Sequence, residues 1–451
     1  MIQLMLAAPR SGGGKTAAAC ALLRLLARRG LTPCAFKCGP DYLDPTFHRA
    51  VEGVESRNLD LFLSDADCVR SLYANGCKGR GAAVIEGAMG YYDGLGGVSD
   101  TASAWAVADT LGVSTLLIVP AKGASLTLAA TVRGLAAFRA QSRVAGVLLN
   151  ECSPALYAAL APTLEREGGV PVLGCLPTVE AARFPNRHLG LYDATELADV
   201  SARIDALADA LDANLDFERL MKIYDAPAPT CAPRVTRAGA AVRIAVAEDA
   251  AFRFVYRETR ETLEACGAEL VPFSPINDAA LPERVGGLYL PGGYPELHAR
   301  ALSDNAAMRD AVRNAVLGAL PTVAECGGFL YLGASLRDAS GEDRAMVGAL
   351  SGHAADALRL VRFGYETLVA PADSLLFRAG ERVRAHEFHH WDSTDCGDAL
   401  TVEKGARTWR CGFVGATLYA AFPHLYFAGC PALAERFADA ARSYGEAHGF
   451  A

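Results

Sequence analysis

The run Ala8-Pro9-Arg10-Ser11-Gly12-Gly13-Gly14-Lys15-Thr16 stands between an apolar stretch over 2–8 and an Ala/Leu/Arg-rich stretch over 15–29 with helical spacing. Strand, glycine turn and helix N-terminus in that order build a phosphate cradle. Glycines at 12, 13 and 14 let backbone N–H groups turn inward on phosphate oxygens, and the helix start adds its positive end. In such a loop Lys15 reaches the β- and γ-phosphates of ATP, and the Thr16 hydroxyl ligates Mg²⁺. The Gly that usually leads the loop is missing, but Gly14-Lys15-Thr16 keeps its place at the helix start.

Outward from this loop, short runs rich in Val, Ile and Leu recur at Ala82–Glu86, 114–119, Val144–Asn150 and Val172–Leu176, with helical stretches such as 125–140 between them. Continuous apolar strands separated by helices predict a parallel sheet covered on both faces. The pattern breaks at Ala226-Pro227-Ala228-Pro229-Thr230-Cys231-Ala232-Pro233, which neither continues a helix nor joins a central strand. A second alternating unit follows, with strands at 242–246, 270–273, Gly287–Leu290 and Thr322–Glu325. The expectation is therefore α/β throughout: an ATP-binding domain over 1–225, a linker over 226–240 and a second α/β domain over 241–440.

With 51% hydrophobic and 21% charged residues, the 451-residue chain has material for packed cores. A formal net charge of −8 argues against a nucleic-acid surface or a polybasic membrane surface. No stretch is apolar for long enough to span a bilayer, and the apolar start has no basic run before it, so the expectation is a soluble, cytoplasmic protein. The 13 cysteines show no regular spacing and read as buried thiols, Cys34 and Cys38 included, rather than as a disulfide framework or a metal pair.

Magnesium needs hard oxygen ligands. Glu86 closes an apolar strand and so sits at the carboxyl edge of the sheet, where ligands of open α/β folds bind. Asp41 and Asp44 lie in the turn Lys37-Cys38-Gly39-Pro40-Asp41-Tyr42-Leu43-Asp44-Pro45, where they either form the turn or face the same site. Lys37 and Arg57 are candidates for a local basic cluster that holds substrate carboxylates or phosphate.

Farther on, Pro321-Thr322-Val323-Ala324-Glu325-Cys326-Gly327-Gly328-Phe329-Leu330 has the form of a nucleophile on a sharp strand-to-helix turn. The helix N-terminus is expected to lower the Cys326 thiol pKa. Tyr289-Leu290-Pro291-Gly292-Gly293-Tyr294-Pro295-Glu296 is a second strand with a glycine turn. Amides near Gly293 and Gly327 would make an oxyanion hole. His424, in Ala421-Phe422-Pro423-His424-Leu425-Tyr426-Phe427, could deprotonate Cys326.

Taken in order along nearly the whole chain, these pieces resemble the cobyrinic acid a,c-diamide synthase family. The resemblance rests on the phosphate loop, Phe36-Lys37-Cys38-Gly39-Pro40-Asp41-Tyr42-Leu43-Asp44-Pro45, Ser56-Arg57-Asn58-Leu59-Asp60 and Glu86-Gly87. Arg187-His188-Leu189-Gly190-Leu191, the Gly292-Gly293 turn and the Glu325-Cys326 elbow extend it. It implies a dethiobiotin-synthetase-like phosphate-loop domain followed by a class I glutamine amidotransferase domain, with Cys326 as nucleophile and His424 as its base. It implies ATP- and glutamine-dependent amidation of the a and c carboxylates of cobyrinate or hydrogenobyrinate. Domains of this phosphate-loop type often pair, so a homodimer is an expectation. Where other class I glutaminases carry a Glu two residues after the His, this chain has Tyr426, which leaves the partner of His424 open. His386 and His389, in Ala385-His386-Glu387-Phe388-His389-His390, stay outside the catalytic set. Two rival readings share these motifs in whole or part: a nickel-sirohydrochlorin a,c-diamide synthase, and a non-catalytic ATPase switch, whose loop usually carries a Lys where Arg10 stands.

Overall fold

The computed structural model describes residues 1–187, 190–191, 193–231 and 239–450. His188 and Leu189 of the quoted Arg187–Leu191 phrase, and 232–238 of the expected linker, lie outside the described residues. The chain divides into two compact units, one up to residue 234 and one from 235 on. Among the described residues no helix is long and apolar enough to cross a membrane.

The first unit is a seven-stranded sheet of β1 (Ile2–Ala7), β2 (Pro33–Cys38), β3 (Ser56–Leu59), β4 (Ala82–Glu86), β5 (Thr115–Pro120), β6 (Val144–Asn150) and β7 (Val172–Leu176), in spatial order β3-β2-β4-β1-β5-β6-β7. Every pairing is parallel. Central β1 is apolar at every position but Gln3, because it is buried on both faces. Leu4 and Leu6 enter the core under helix α1 (Lys15–Arg28), while Met5 and Ala7 enter the core on the other face. Leu22, Leu23 and Leu26 of α1 are buried in the first of these cores, where truncation of one Leu to Ala costs about 2–5 kcal/mol. Outside, Arg28 of α1 pairs with Asp205 at 2.7 Å and Asp209 at 2.6 Å on the helix Val200–Asp212.

Edge strand β3 escapes a hydrophobicity reading because its residues are mostly polar. Each polar side chain has a bond to make: Ser56 Oγ lies 2.9 Å from His48 Nδ1, and Asn58 Nδ2 donates to the carbonyls of Gly39 and Asp41. The Pro-rich stretch begins as a strap on β1, with Ala226 N–H donating to Met1 O at 3.0 Å and Gln3 Nε2 to Pro227 O at 2.6 Å.

The second unit holds a six-stranded sheet in the order Ala268–Phe273, Val242–Ala247, Gly287–Leu290, Thr322–Glu325, Leu418–Ala421, Phe413–Val414, parallel except for the last pair. A five-stranded antiparallel sheet, Arg407–Cys411, Leu400–Lys404, Arg362–Val369, Arg382–His389 and His424–Leu425, adds a layer absent from the sequence reading. Its inward residues Leu368, Val383, Ala385 and Val402 share one core with Leu433, Phe437 and Ala441 of the last helix, Pro431–Ala447.

Candidate active site

Two clusters of chemistry-bearing residues lie at the carboxyl edges of the two parallel sheets. At the first, the loop after β1 turns through Gly12 and Gly14, both at positive φ. A Cβ on Gly14 would strike Asn150 Nδ2 at 2.1 Å, and Asn150 Nδ2 donates to Gly13 O at 3.1 Å, so the end of β6 clamps the loop. Lys15 Nζ donates to Met89 O at 2.6 Å. Burial and the neighbouring Lys37 bring the Lys15 pKa down to about 8.

Glu86, fully buried at the end of β4, is the hub of this cluster. Its Oε1 accepts from Thr16 Oγ1 at 2.7 Å and Lys37 Nζ at 3.1 Å, and its Oε2 lies 2.8 Å from His48 Nε2. Burial alone would raise its pKa, but Lys37 and the hydrogen bonds of His48 and Thr16 hold the carboxyl well below the usual range. Lys37 also meets Asp44 Oδ2 at 2.5 Å and Asp41 Oδ2 at 4.0 Å. Burial works against its charge, but Asp44, Glu86 and Asp41 outweigh it and raise the Lys37 pKa. Burial and Asp41 push the Asp44 carboxyl up, against Lys37.

The two aspartates divide the readings offered for them. Asp41 Oδ1 accepts the N–H groups of Leu43 and Asp44, so it builds the turn, while Asp44 faces Lys37. Arg57 sits beside Phe36 in the β2–β3 register, one residue out of step with Lys37, where it packs against Gly76 and pairs with Glu55 at 3.2 Å. It is not gathered into the Glu86 cluster. His48 is, though the sequence reading passed over it; at four residues past Asp44 on the helix Asp44–Arg49, helical spacing pointed there. Thr16 Oγ1, Glu86 and Asp44 form an all-oxygen set of the hard type that Mg²⁺ prefers, so these residues fit that ion. Among the described residues no three His, Cys, Asp or Glu side chains cluster to hold a metal on their own. Beside the loop, past the ends of β5, β6 and β7, lies a cavity of about 830 Å³ lined by Lys122, Ser125, Glu151, Ser153 and Thr178 among others.

At the second cluster, Cys326 takes φ 46° and ψ −103° between the strand Thr322–Glu325 and the short helix Gly327–Leu332. Only glycines fit around this elbow. A Cβ on Gly328 would lie 2.0 Å from Leu290 O, one on Gly327 would lie 3.0 Å from Gly293 N, and one on Gly292 would lie 2.4 Å from His424 Cε1. The Gly292-Gly293 turn thus touches Gly327 on one side and the His424 ring on the other. His424 pairs across the antiparallel sheet with His386, and both it and Cys326 are buried. Burial, with Glu296 and Glu387, pushes the Cys326 thiol well up, and the Gly327 N–H opposes them without overcoming them. This reverses the expectation of a lowered pKa, because a one-turn helix end is weaker than loss of solvent. A thiol so held would need a base to take its proton in order to react.

The remaining histidines separate by their contacts. His389 lies between Glu387 Oε1 at 2.7 Å and Trp391 O at 2.6 Å and stacks on Phe422. His386 is kept neutral, its pKa brought down to about 3 by burial, His424 and Lys404. Missed from sequence was Glu325, buried beside His424, although it is the residue before the elbow Cys.

Residues 4–191 match the CobQ/CobB/MinD/ParA nucleotide binding domain, and residues 243–431 match the CobB/CobQ-like glutamine amidotransferase domain. The chain is 35% identical to the cobyrinate a,c-diamide synthase of Listeria innocua, over 96% of this chain and 98% of that one. It is 37% identical to the enzyme of the same name from Salmonella typhimurium, over 97% and 98%. The chain belongs to the cobyrinate a,c-diamide synthase family. The hydrogenobyrinate a,c-diamide synthase of Thermobifida fusca is as similar, 37% identical over 97% of this chain and 96% of that one. Family membership accounts for both clusters in one chain: a nucleotide-binding domain carries the Glu86 network, and a glutamine amidotransferase domain carries the cysteine elbow.

Proposed function

We propose that this chain amidates the a and c carboxylates of cobyrinate, or of hydrogenobyrinate, spending ATP and glutamine at each, as a C–N ligase of cobalamin biosynthesis. The observation that carries the reading is the presence in one chain of a phosphate loop beside Lys37 and Glu86 and a buried cysteine elbow next to the Gly292-Gly293 turn that abuts His424.

In the first domain, residues 1–225 in this reading, the loop amides of Gly12, Gly13 and Gly14 and the Lys15 ammonium would bind the ATP phosphates. The cavity beyond β5–β7 would take the nucleoside. Thr16, Glu86 and Asp44 would hold Mg²⁺, which neutralises phosphate charge when bound. A substrate carboxylate oxygen attacks the γ-phosphorus, ADP leaves, and an acyl phosphate forms. Lys37 and Lys15 offset the charge gathered there. Asp41 keeps the turn that presents Asp44.

In the second domain, residues 241–440 beyond a linker at 226–240, His424 takes the Cys326 proton and the thiolate attacks the glutamine side-chain carbon. Amides at Gly293 and Gly327 hold the oxyanion. Ammonia leaves with the proton returned by His424, and water then cleaves the thioester to glutamate. Ammonia attacks the acyl phosphate carbon, phosphate departs, and the amide remains. Pairing of two chains as a homodimer belongs to this proposal as a family-type expectation.

The test is to incubate the chain with ATP, glutamine and cobyrinate or hydrogenobyrinate and follow product mass. The expected result is two successive replacements of OH by NH₂. Turnover of nickel-sirohydrochlorin alone would move the substrate assignment, and ATP hydrolysis with no amide formed would remove the ligase reading.

A further inference from the structure

Glu325 ends the strand that carries Cys326 and is 1% exposed. A carboxylate buried at that depth is costly unless its oxygens are spent on specific partners. Oε1 accepts the N–H of Leu425 at 3.0 Å, the residue next to His424. Oε2 accepts the Tyr289 O–H at 2.9 Å and lies 3.8 Å from His424 Nδ1. One side chain thus fixes the backbone after His424 and places negative charge beside its ring, while the ring's far side rests on Gly292.

The geometry points to Glu325 as the positioning residue of His424, standing where Tyr426 supplies no carboxylate. The inference rests on the reading of Cys326 and His424 as the glutaminase pair. The step it serves balances simply. The Cys326 Sγ–H proton moves to His424 Nε2, the thiolate adds to the amide carbon, and the proton leaves on ammonia. Before that transfer the ring is neutral and 3.8 Å is not a hydrogen bond. Afterwards the ring is a cation whose Nδ1–H faces the carboxylate, and catalytic contacts of this kind tighten when substrate is present. Tyr289 holds Oε2 on the side of the ring, and the Leu425 bond keeps Oε1 from turning away.

The other titratable groups around the pair are His386 from the strand Arg382–His389, Cys326 with Glu296 and Glu387 near its thiol, Tyr419 from the adjacent strand, Arg260 near Tyr289, and Tyr426 in the His424 segment. Glu325 brings a carboxylate oxygen to 3.8 Å from the His424 ring. Removing its charge therefore makes the protonated ring harder to form.

The experiment uses the full chain carrying Glu325→Gln, which keeps one acceptor for the Leu425 N–H, turns an NH₂ donor toward the Tyr289 hydroxyl oxygen and carries no charge. Glutamine hydrolysis is expected to lose about 10²-fold in kcat with KM within about twofold, while amidation from ammonium is retained. The acid limb of kcat/KM for glutamine, which requires neutral His424, is expected to move to lower pH. Hydrolysis within about twofold of the parent, or a loss with the acid limb unmoved, overturns the inference. If Glu325→Gln loses both nitrogen sources together, Glu325→Asp decides. Recovery of hydrolysis with the parent's acid limb supports the inference, and loss equal to that of the Gln variant overturns it. Cys326→Ala run beside them separates the two readings, since glutamine hydrolysis surviving there would sink the glutaminase pair itself.

Discussion

The Glu86 cluster and the Cys326 elbow are both buried, both at a sheet's carboxyl edge, and electrostatically opposite. Around Glu86 charge stands in the resting protein, with the Lys37 ammonium held against the Glu86 carboxylate. Around Cys326 carboxylates stand nearby, but the thiol and His386 are kept neutral, so the nucleophile's own charge would have to be made during the reaction. The difference follows the ligands. A polyanion is met by fixed cations whose desolvation is offset by partners already in place. A neutral amide needs no standing charge, and a thiolate held without solvent would be costly until a base stands ready.

That contrast can be broken from either side. Cys326→Ala removes the group on which charge is made, so glutamine-supported amidation should fall by about 10⁴-fold or more, while high ammonium still supports turnover. Glutamine use surviving in that variant would end the comparison. Lys15→Ala removes a standing charge; amidation from either nitrogen source should drop about 10³-fold, and glutamine hydrolysis measured alone should persist. Gly292→Ala inserts a methyl 2.4 Å from His424 Cε1, so the ring must move. Glutamine hydrolysis should lose about 10²-fold with ATP affinity untouched, and equal losses in both would show that the Gly292 turn serves the fold rather than the ring.

The smallest effect sharpens the comparison through pH. The protonated, competent form of Lys15 prevails below its pKa of about 8 and is lost above it. The kcat/KM for ATP should therefore decline on the alkaline side with an apparent pKa near 8, by up to about tenfold per pH unit. A flat profile to pH values well above that would place Lys15 in a more strongly anionic setting than Glu86, Asp44 and Asp93 supply.

How much of this was legible in sequence depended on whether a residue's job is local. The phosphate loop and the elbow are continuous strand–turn–helix segments, so residue type and spacing suffice to read both. The Ala82–Glu86 run likewise revealed that Glu86 ends a buried strand. Residues that act across the fold were hidden. Ser56 and Asn58 carry no strand signal until their bonding partners in neighbouring segments are known. His48 reaches Glu86 from 38 positions away, and Glu325 reaches Leu425 from 100. The antiparallel layer was missed for a related reason: strands such as Arg382–His389 alternate polar and buried residues with charges inside, and Glu387 has no apolar signature though it is fully buried. The thiol's direction of shift was misjudged because sequence displays the nearby helix start but not the loss of water.

The high pKa of Cys326 has a bearing on how the molecule ages. Peroxides and alkylating electrophiles attack thiolates, and the rate follows the fraction deprotonated. In the proposed reaction a nucleophile stored as a buried thiol, ionised only as it hands its proton to His424, would be spared that wear between turnovers. Durability in the resting enzyme is thus a by-product of the same desolvation that obliges it to recruit a base.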